Sequence, residues 1–295
     1  MPFFENEKLL FIHIPKTGGT SIEKYFQFRA KQPLGFDNLY YSYYEKSIQS
    51  DLDKYRKLWK HKLHRMRIES DKNKFDELSI INRKKKKQND DSSVDSNNVT
   101  LRETIPEFIL FRKMRLSRDL GHSLQHLTWS ELQENKDILW EKSEHKKIVS
   151  NDPYERNEYE IITVVRNPYD RIISELLFLK ILNNDTLKKP KKVFEYLKKF
   201  LEQYDSFDNH KIPQYLFLID SLGNMIPNLI ILHTETLTQD MRNIGYVDFN
   251  HYYQVSKIKT QPGVTKYSNS LNRESIDLIN KYYKRDFELF GYDFL

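Results

Sequence analysis

A lysine, two glycines and three hydroxyl residues crowd into Pro15-Lys16-Thr17-Gly18-Gly19-Thr20-Ser21. Those residue types on one short turn suit the holding of a tetrahedral anion. Gly18 and Gly19 let the backbone come close to a phosphate or sulfate, Thr17, Thr20 and Ser21 add hydroxyl donors, and Lys16 adds a mobile cation. A turn with no ligand would not need all of them together. The order differs from the Walker A pattern G-x-x-x-x-G-K-[ST], because Lys16 precedes the glycines and the loop is shorter. No acidic strand end stands ready to hold Mg²⁺ either, which counts against an ATPase or kinase.

A second constellation lies in Arg166-Asn167-Pro168-Tyr169-Asp170-Arg171-Ile172-Ile173-Ser174. If a helix begins near Pro168, Ser174 falls on its second turn and can face back toward Arg166. An arginine offers a planar fork of donors, so this pair suits a second phosphate. Arg171 stays open between a ligand role and an ion pair with Asp170 or another carboxylate. Two anion sites on two strand ends suggest a nucleotide phosphorylated on two different ribose carbons.

The elements that must position these residues are short and apolar. Leu9–Ile14 reads as a central strand buried on both faces, ended by Pro15. Ile22, Tyr25 and Phe26 fall at helical spacing within Ser21–Phe28. Ile161–Val165 and Leu229–Leu232 read as two further strands. Residues 191–204 place Val193, Phe194, Leu197, Phe200, Leu201 and Tyr204 on one helical face, which is ordinary core packing. The carboxyl-terminal stretch is mostly helical and ends at Gly291. Strands alternating with helices imply an α/β fold of three layers, P-loop-like, with a central parallel sheet flanked by helices.

Composition narrows the classes further. The 295 residues carry 48 Lys and Arg against 42 Asp and Glu, a net charge of +6. Residues 45–91 hold 15 basic and 9 acidic residues, so this one segment accounts for the whole excess. The expectation is therefore a single domain over 1–295 interrupted by a Lys-rich, solvated insertion at about 45–101. No stacking aromatics lie within its RKKKK tract, so nucleic acid is not expected as a partner. The absence of cysteine excludes disulfides, thiolate metal sites and cysteine nucleophiles. No apolar run approaches the roughly 20 residues of a membrane span. With the first motif only about ten residues in and no signal peptide, a cytoplasmic location is expected.

With both motifs in place, the sequence resembles the sulfotransferases that use 3′-phosphoadenosine 5′-phosphosulfate (PAPS), most closely the branch acting on carbohydrates. HIPKTGGTS is similar to their 5′-phosphosulfate loop and RNPYDRIIS to their 3′-phosphate motif. SLQHLTWSEL, IPQYLFLID, LHTETLTQD and the ending DFELFGYDF resemble further segments of the family. The likeness covers about residues 8–30 and 119–295 and leaves out the Lys-rich insertion.

The resemblance implies transfer of a sulfuryl group from PAPS to a hydroxyl of a carbohydrate or glycan acceptor, without a metal. It assigns Lys16 to the leaving oxygen, Thr17, Gly18, Gly19, Thr20 and Ser21 to the 5′-phosphate, and Arg166 and Ser174 to the 3′-phosphate. His126 is the first candidate for general base, because it sits at the matching position. His122, four residues earlier and expected on the same helical face, is the second. Glu23 and Glu131 stand in reserve, since some relatives use a glutamate. Lys266, in a late loop, is a candidate to close over the nucleotide, and His13 reads as a strand residue packed near the first loop. Two other readings compete: a nucleotide-dependent phosphotransferase using the first loop for ATP, and a non-catalytic nucleotide-binding protein whose basic insertion meets an acidic partner.

Overall fold

The structure, a computed structural model, describes residues 2–30, 112–113, 115–117, 119–140, 142–156, 158–202, 208–249 and 267–295. By internal contact the chain divides into two compact units, Met1–Tyr43 with Ser117–Leu295, and Tyr44–Leu116. The first carries every element below. The Lys-rich insertion and Lys266 lie outside the described residues.

Four strands form one sheet in the order β1 (Phe3–Phe4), β2 (Leu9–Ile12), β3 (Glu160–Val165) and β4 (Ile230–His233). β2, β3 and β4 run parallel, while the short β1 adds an antiparallel edge that the sequence did not announce. All four residues of β2 and the last five of β3 are buried, as near-continuous apolar runs in a parallel sheet should be. Ile12 lies beside Thr163, and Val165 beside His233. The three parallel strands therefore deliver their carboxyl ends to one edge of the sheet, where ligands of such sheets are bound.

Helices cover what the strands leave apolar. On one face Leu9, Phe11, Ile162, Val164 and Leu232 pack with Ile22, Tyr25 and Phe26 of α1 (Gly19–Ala30) and with Leu237 and Met241 further on. A second core joins Ile172, Ile173 and Leu176 of α3 (Pro168–Phe178) to Val193, Leu197, Phe200 and Leu201 of α4 (Pro190–Glu202). Ile279 of α6 (Arg273–Tyr282) and Phe287 of α7 (Lys284–Phe290) complete that core. Each such side chain contributes about 1.5–3 kcal/mol on burial. The remaining helices used below are α2 (Trp129–Glu134) and α5 (Leu237–Asn243). Among the described residues no helix is long and apolar enough to cross a membrane.

The parallel strands and the 190–202 helix stand where their apolar patterns put them, within a residue or two. The 122–126 segment differs. Only Leu124–His126 winds, as a 3₁₀ turn. His122 and His126 thus do not share a helical face, and they pair with different carboxylates, Glu131 and Asp208.

Candidate active site

The loop after β2 is built to present backbone rather than side chain. Lys16 and Gly18 both have positive φ, 66° and 92°, flanking Thr17. Such alternation into the left-handed region is the backbone conformation from which anion nests are built, and here it stands at the start of α1. The Thr17 hydroxyl is committed to the Ile14 carbonyl at 2.8 Å, so it pins the turn. Ser21 is buried, Thr20 exposed, and the Ser21 N–H closes the first turn on the Gly18 carbonyl at 2.9 Å. Gly19 has a separate reason to be glycine: an added Cβ would lie 2.4 Å from the His13 ring.

The Arg166 motif emerges beside it. One guanidinium N–H of Arg166 donates to the Lys16 carbonyl at 3.1 Å, and the guanidinium makes no other hydrogen bond among the described residues. Asn167 caps α3 by accepting from the Tyr169 N–H, and Pro168 occupies the first turn. Ser174 sits half-buried on that helix. Arg171 is resolved as structural. Its three donor nitrogens reach the carbonyls of Pro15, Ile212 and His210 at 3.1, 2.8 and 2.9 Å, so it stitches the first loop to the 210–212 segment.

Three further segments hold these strand ends. Gln214 accepts from the Arg166 N–H at 2.9 Å and donates to the Arg166 carbonyl at 2.8 Å. Asp286 in turn accepts from the N–H groups of Gln214 and Tyr215 at 2.8 and 2.9 Å. Burial pushes its carboxyl up to about 6 despite those donors. Glu235 accepts from the Asn167 N–H at 2.9 Å and from the Tyr292 hydroxyl at 3.0 Å. The IPQY, LHTE and DFELFGY segments thus hold the turn at Arg166 and Asn167 through its backbone.

Lys16 stands half-buried with its Nζ 4.0 Å from the centre of the Phe178 ring. Burial holds its ammonium below the usual lysine range, with Glu175 opposing and Arg166 adding to the shift. The same Phe178 ring stacks on His210 with centroids 6.0 Å apart. His210 donates from Nδ1 to Glu175 Oε2 at 2.7 Å, leaving Glu175 Oε1 buried with no hydrogen bond.

The histidines have two kinds of surroundings. His126 is buried, its Nδ1 2.9 Å from Asp208 Oδ2 and 3.1 Å from the Ser123 hydroxyl. Its ring lies edge-on to His13 at 5.2 Å and to His210 at 4.8 Å. Burial draws the His126 imidazole down to about 3 against the pull of Asp208, so the ring is neutral. With Nδ1–H given to Asp208, the lone pair is on Nε2, and the carboxylate stands ready to stabilise the cation once a proton arrives. His122 instead pairs with Glu131 at 2.8 Å, while Glu131 Oε2 accepts from Thr128 to complete the capping box of α2. Burial works against a charged His122, but the Glu131 contact outweighs it and the pKa is raised.

His13 lies just beyond the end of β2 and pairs with Glu23, to which Gln125 also donates at 2.7 Å. Gln125, Glu175, Asp208, His210 and Gln214 were not singled out from the sequence as site residues. Glu175 carried a signal, as a charge on the apolar face of Ile172, Ile173 and Leu176.

A family model described as the sulfotransferase family matches residues 2–293, nearly the whole chain. The chain belongs to the sulfotransferase family. No curated protein and no solved structure matches it. For a sulfotransferase the mixed α/β layout and the strand-end loops are consistent with a P-loop-like fold, and the match supports sulfuryl transfer in general.

Proposed function

We propose that this sulfotransferase moves the sulfuryl group of PAPS to a hydroxyl of a carbohydrate or glycan acceptor by in-line displacement. The observation that carries the reading is the junction of the two anion motifs, Arg166 donating to the Lys16 carbonyl at 3.1 Å. That contact brings a positive fork alongside a backbone nest. A nucleotide with phosphates on two ribose carbons needs both, whereas ATP needs only the nest. The residues fit such a donor in kind, because positive φ at Lys16 and Gly18 exposes loop backbone and Arg166 keeps guanidinium donors beyond its bond to Lys16.

In this reading the backbone of Thr17, Gly18, Gly19, Thr20 and Ser21 binds the 5′-phosphate end, and Arg166 with Ser174 the 3′-phosphate. The donor supplies the activated sulfuryl group. Lys16, lying over the Phe178 face, places its ammonium where negative charge grows on the leaving oxygen. His126 receives the acceptor proton at Nε2, and Asp208 holds Nδ1 and stabilises the imidazolium. His122 and Glu131 hold the α2 cap, which favours His126 as the base. The carbohydrate acceptor rests on the likeness of the motifs to that branch.

The test is calorimetric titration with 3′,5′-adenosine bisphosphate, beside ADP and ATP without metal, on the wild type and on Arg166→Ala. Tight binding of the bisphosphate alone, weakened by the substitution, supports the donor, and radiolabelled PAPS with a panel of sugars then tests the acceptor. Equal or tighter binding of ATP would return the loop to phosphoryl transfer.

A further inference from the structure

His126, Asp208 and His210 offer one ligand atom each within 4.8 Å of one another. Two of the three spacings are telling. His126 Nδ1 is 2.9 Å from Asp208 Oδ2, and His210 Nε2 is 3.9 Å from the same oxygen. The second distance is too long for a hydrogen bond. Zinc–nitrogen and zinc–oxygen bonds of 2.0–2.2 Å at tetrahedral angles put neighbouring ligand atoms about 3.3 Å apart, so the two spacings bracket that value.

The tautomer of His210 is fixed in the sense a metal needs. Its Nδ1–H goes to Glu175, so Nε2 carries a lone pair directed at the Asp208 side, with no hydrogen bond among the described residues. A carboxylate behind a histidine is the usual outer support of a metal ligand. Asp208 and Asn209 are both left-handed, with φ of 59° and 62°, and the Asn209 side chain donates to the His126 carbonyl at 3.0 Å. Consecutive non-glycine residues in that region cost conformational energy, and here they bring Asp208 and His210 to His126. Both are partly open to solvent, so an ion has a way in.

We infer that His126, Asp208 and His210 form a binding site for a divalent transition cation of the zinc class, with Glu175 orienting His210. The cation takes His126 Nδ1, and the single imidazole proton, displaced from that nitrogen, is carried on Nε2 instead. With Nδ1 on the cation and Nε2 protonated, His126 can no longer accept a proton from an acceptor hydroxyl. Occupancy therefore inhibits transfer. The inhibitory part rests on the proposed role of His126, while the binding part does not.

The experiment is titration of the full chain with Co²⁺, read by its visible absorption and by calorimetry, then repeated with Zn²⁺ in competition. One strong equivalent is expected, with affinity reduced at least 100-fold in His210→Ala and about 10–100-fold in Glu175→Gln. Urea unfolding of both variants, and bisphosphate calorimetry on each, separates a lost ligand from a lost fold. Asp208→Asn supplies an independent variant if His210→Ala unfolds. Absence of a strong equivalent, or binding undiminished by both His210→Ala and Asp208→Asn, would overturn the site. Cobalt binding without sulfate transfer to any sugar would leave the site standing and remove the acceptor reading. Transfer unaffected by saturating Zn²⁺ would overturn the inhibition.

Discussion

The side-chain amide of Gln214 closes on both backbone groups of Arg166, accepting from its N–H at 2.9 Å and donating to its carbonyl at 2.8 Å. A side chain thereby does what a neighbouring strand would do, and holds the first residue beyond β3 in register. Gln214 is fully buried, and truncating it removes both bonds at once. Gln214→Ala is expected to cost about 1–3 kcal/mol of stability, the usual penalty for orphaned buried polar groups. It should also weaken 3′,5′-adenosine bisphosphate binding about tenfold without touching the ligand. Urea unfolding and calorimetry on the one variant check both parts. Unchanged binding would mean that Arg166 finds its place without the clamp.

Gly19 admits no side chain because the His13 ring occupies its Cβ position, 2.4 Å away. His13 cannot swing aside freely, being paired with Glu23 and neighboured by Gln125. Gly19→Ala is therefore expected to destabilise by about 1–3 kcal/mol through overpacking. His13→Ala should cost stability on its own by leaving Glu23 with one partner fewer. The double variant should cost less than the two single costs together, since removing the ring makes room for the methyl. Simple additivity in urea midpoints would show that the loop yields in some other way.

How much of this was legible follows from where each signal lies along the chain. The segments 15–21 and 166–174 are local, each a strand end, a turn and a helix start, so their placement was readable from residue type and spacing. The sheet was readable because β2 and β3 are continuous apolar runs, whereas the two-residue β1 is too short to have a period. The Asp208–His126 and His210–Glu175 pairs join residues 82 and 35 positions apart, and no periodicity links them. From the sequence Arg171 stayed open between a ligand role and an ion pair with Asp170 or another carboxylate. Only the fold shows that its donors go to three carbonyls on two segments.

The His122–Glu131 pair gives a pH signature. His122 is raised above 6.5, so its stabilisation is full below that value and lost as pH rises through the folded pKa. Glu131 is lowered below 4.5, so its share is present above that value and lost as pH falls through the folded one. The pair therefore contributes most between about pH 4.5 and 6.5, between the two unfolded values. Glu131→Gln keeps an amide able to cap α2 but removes the charge. It is expected to cost about 1–3 kcal/mol inside that window, and the difference from wild type should shrink toward pH 9. Urea midpoints measured across the range check this, and a difference that grew with pH would reverse the assignment.

Arg171 makes the sharpest distinction between holding the fold and holding the ligand. Its nitrogens satisfy the carbonyls of Pro15, Ile212 and His210, and the side chain is 2 % exposed. Lysine keeps the charge but cannot reproduce a planar fork, so at least two of those carbonyls lose their donor. Arg171→Lys is expected to lower stability in the absence of nucleotide by about 2–4 kcal/mol, at roughly 1–3 for each orphaned carbonyl less what the ammonium recovers. A residue serving only the nucleotide would leave that stability unchanged and lower affinity alone. Thermal unfolding with and without 3′,5′-adenosine bisphosphate separates the two. Because Pro15 adjoins Lys16, the loss should also loosen the anion loop, so affinity falls too, as a consequence of the fold.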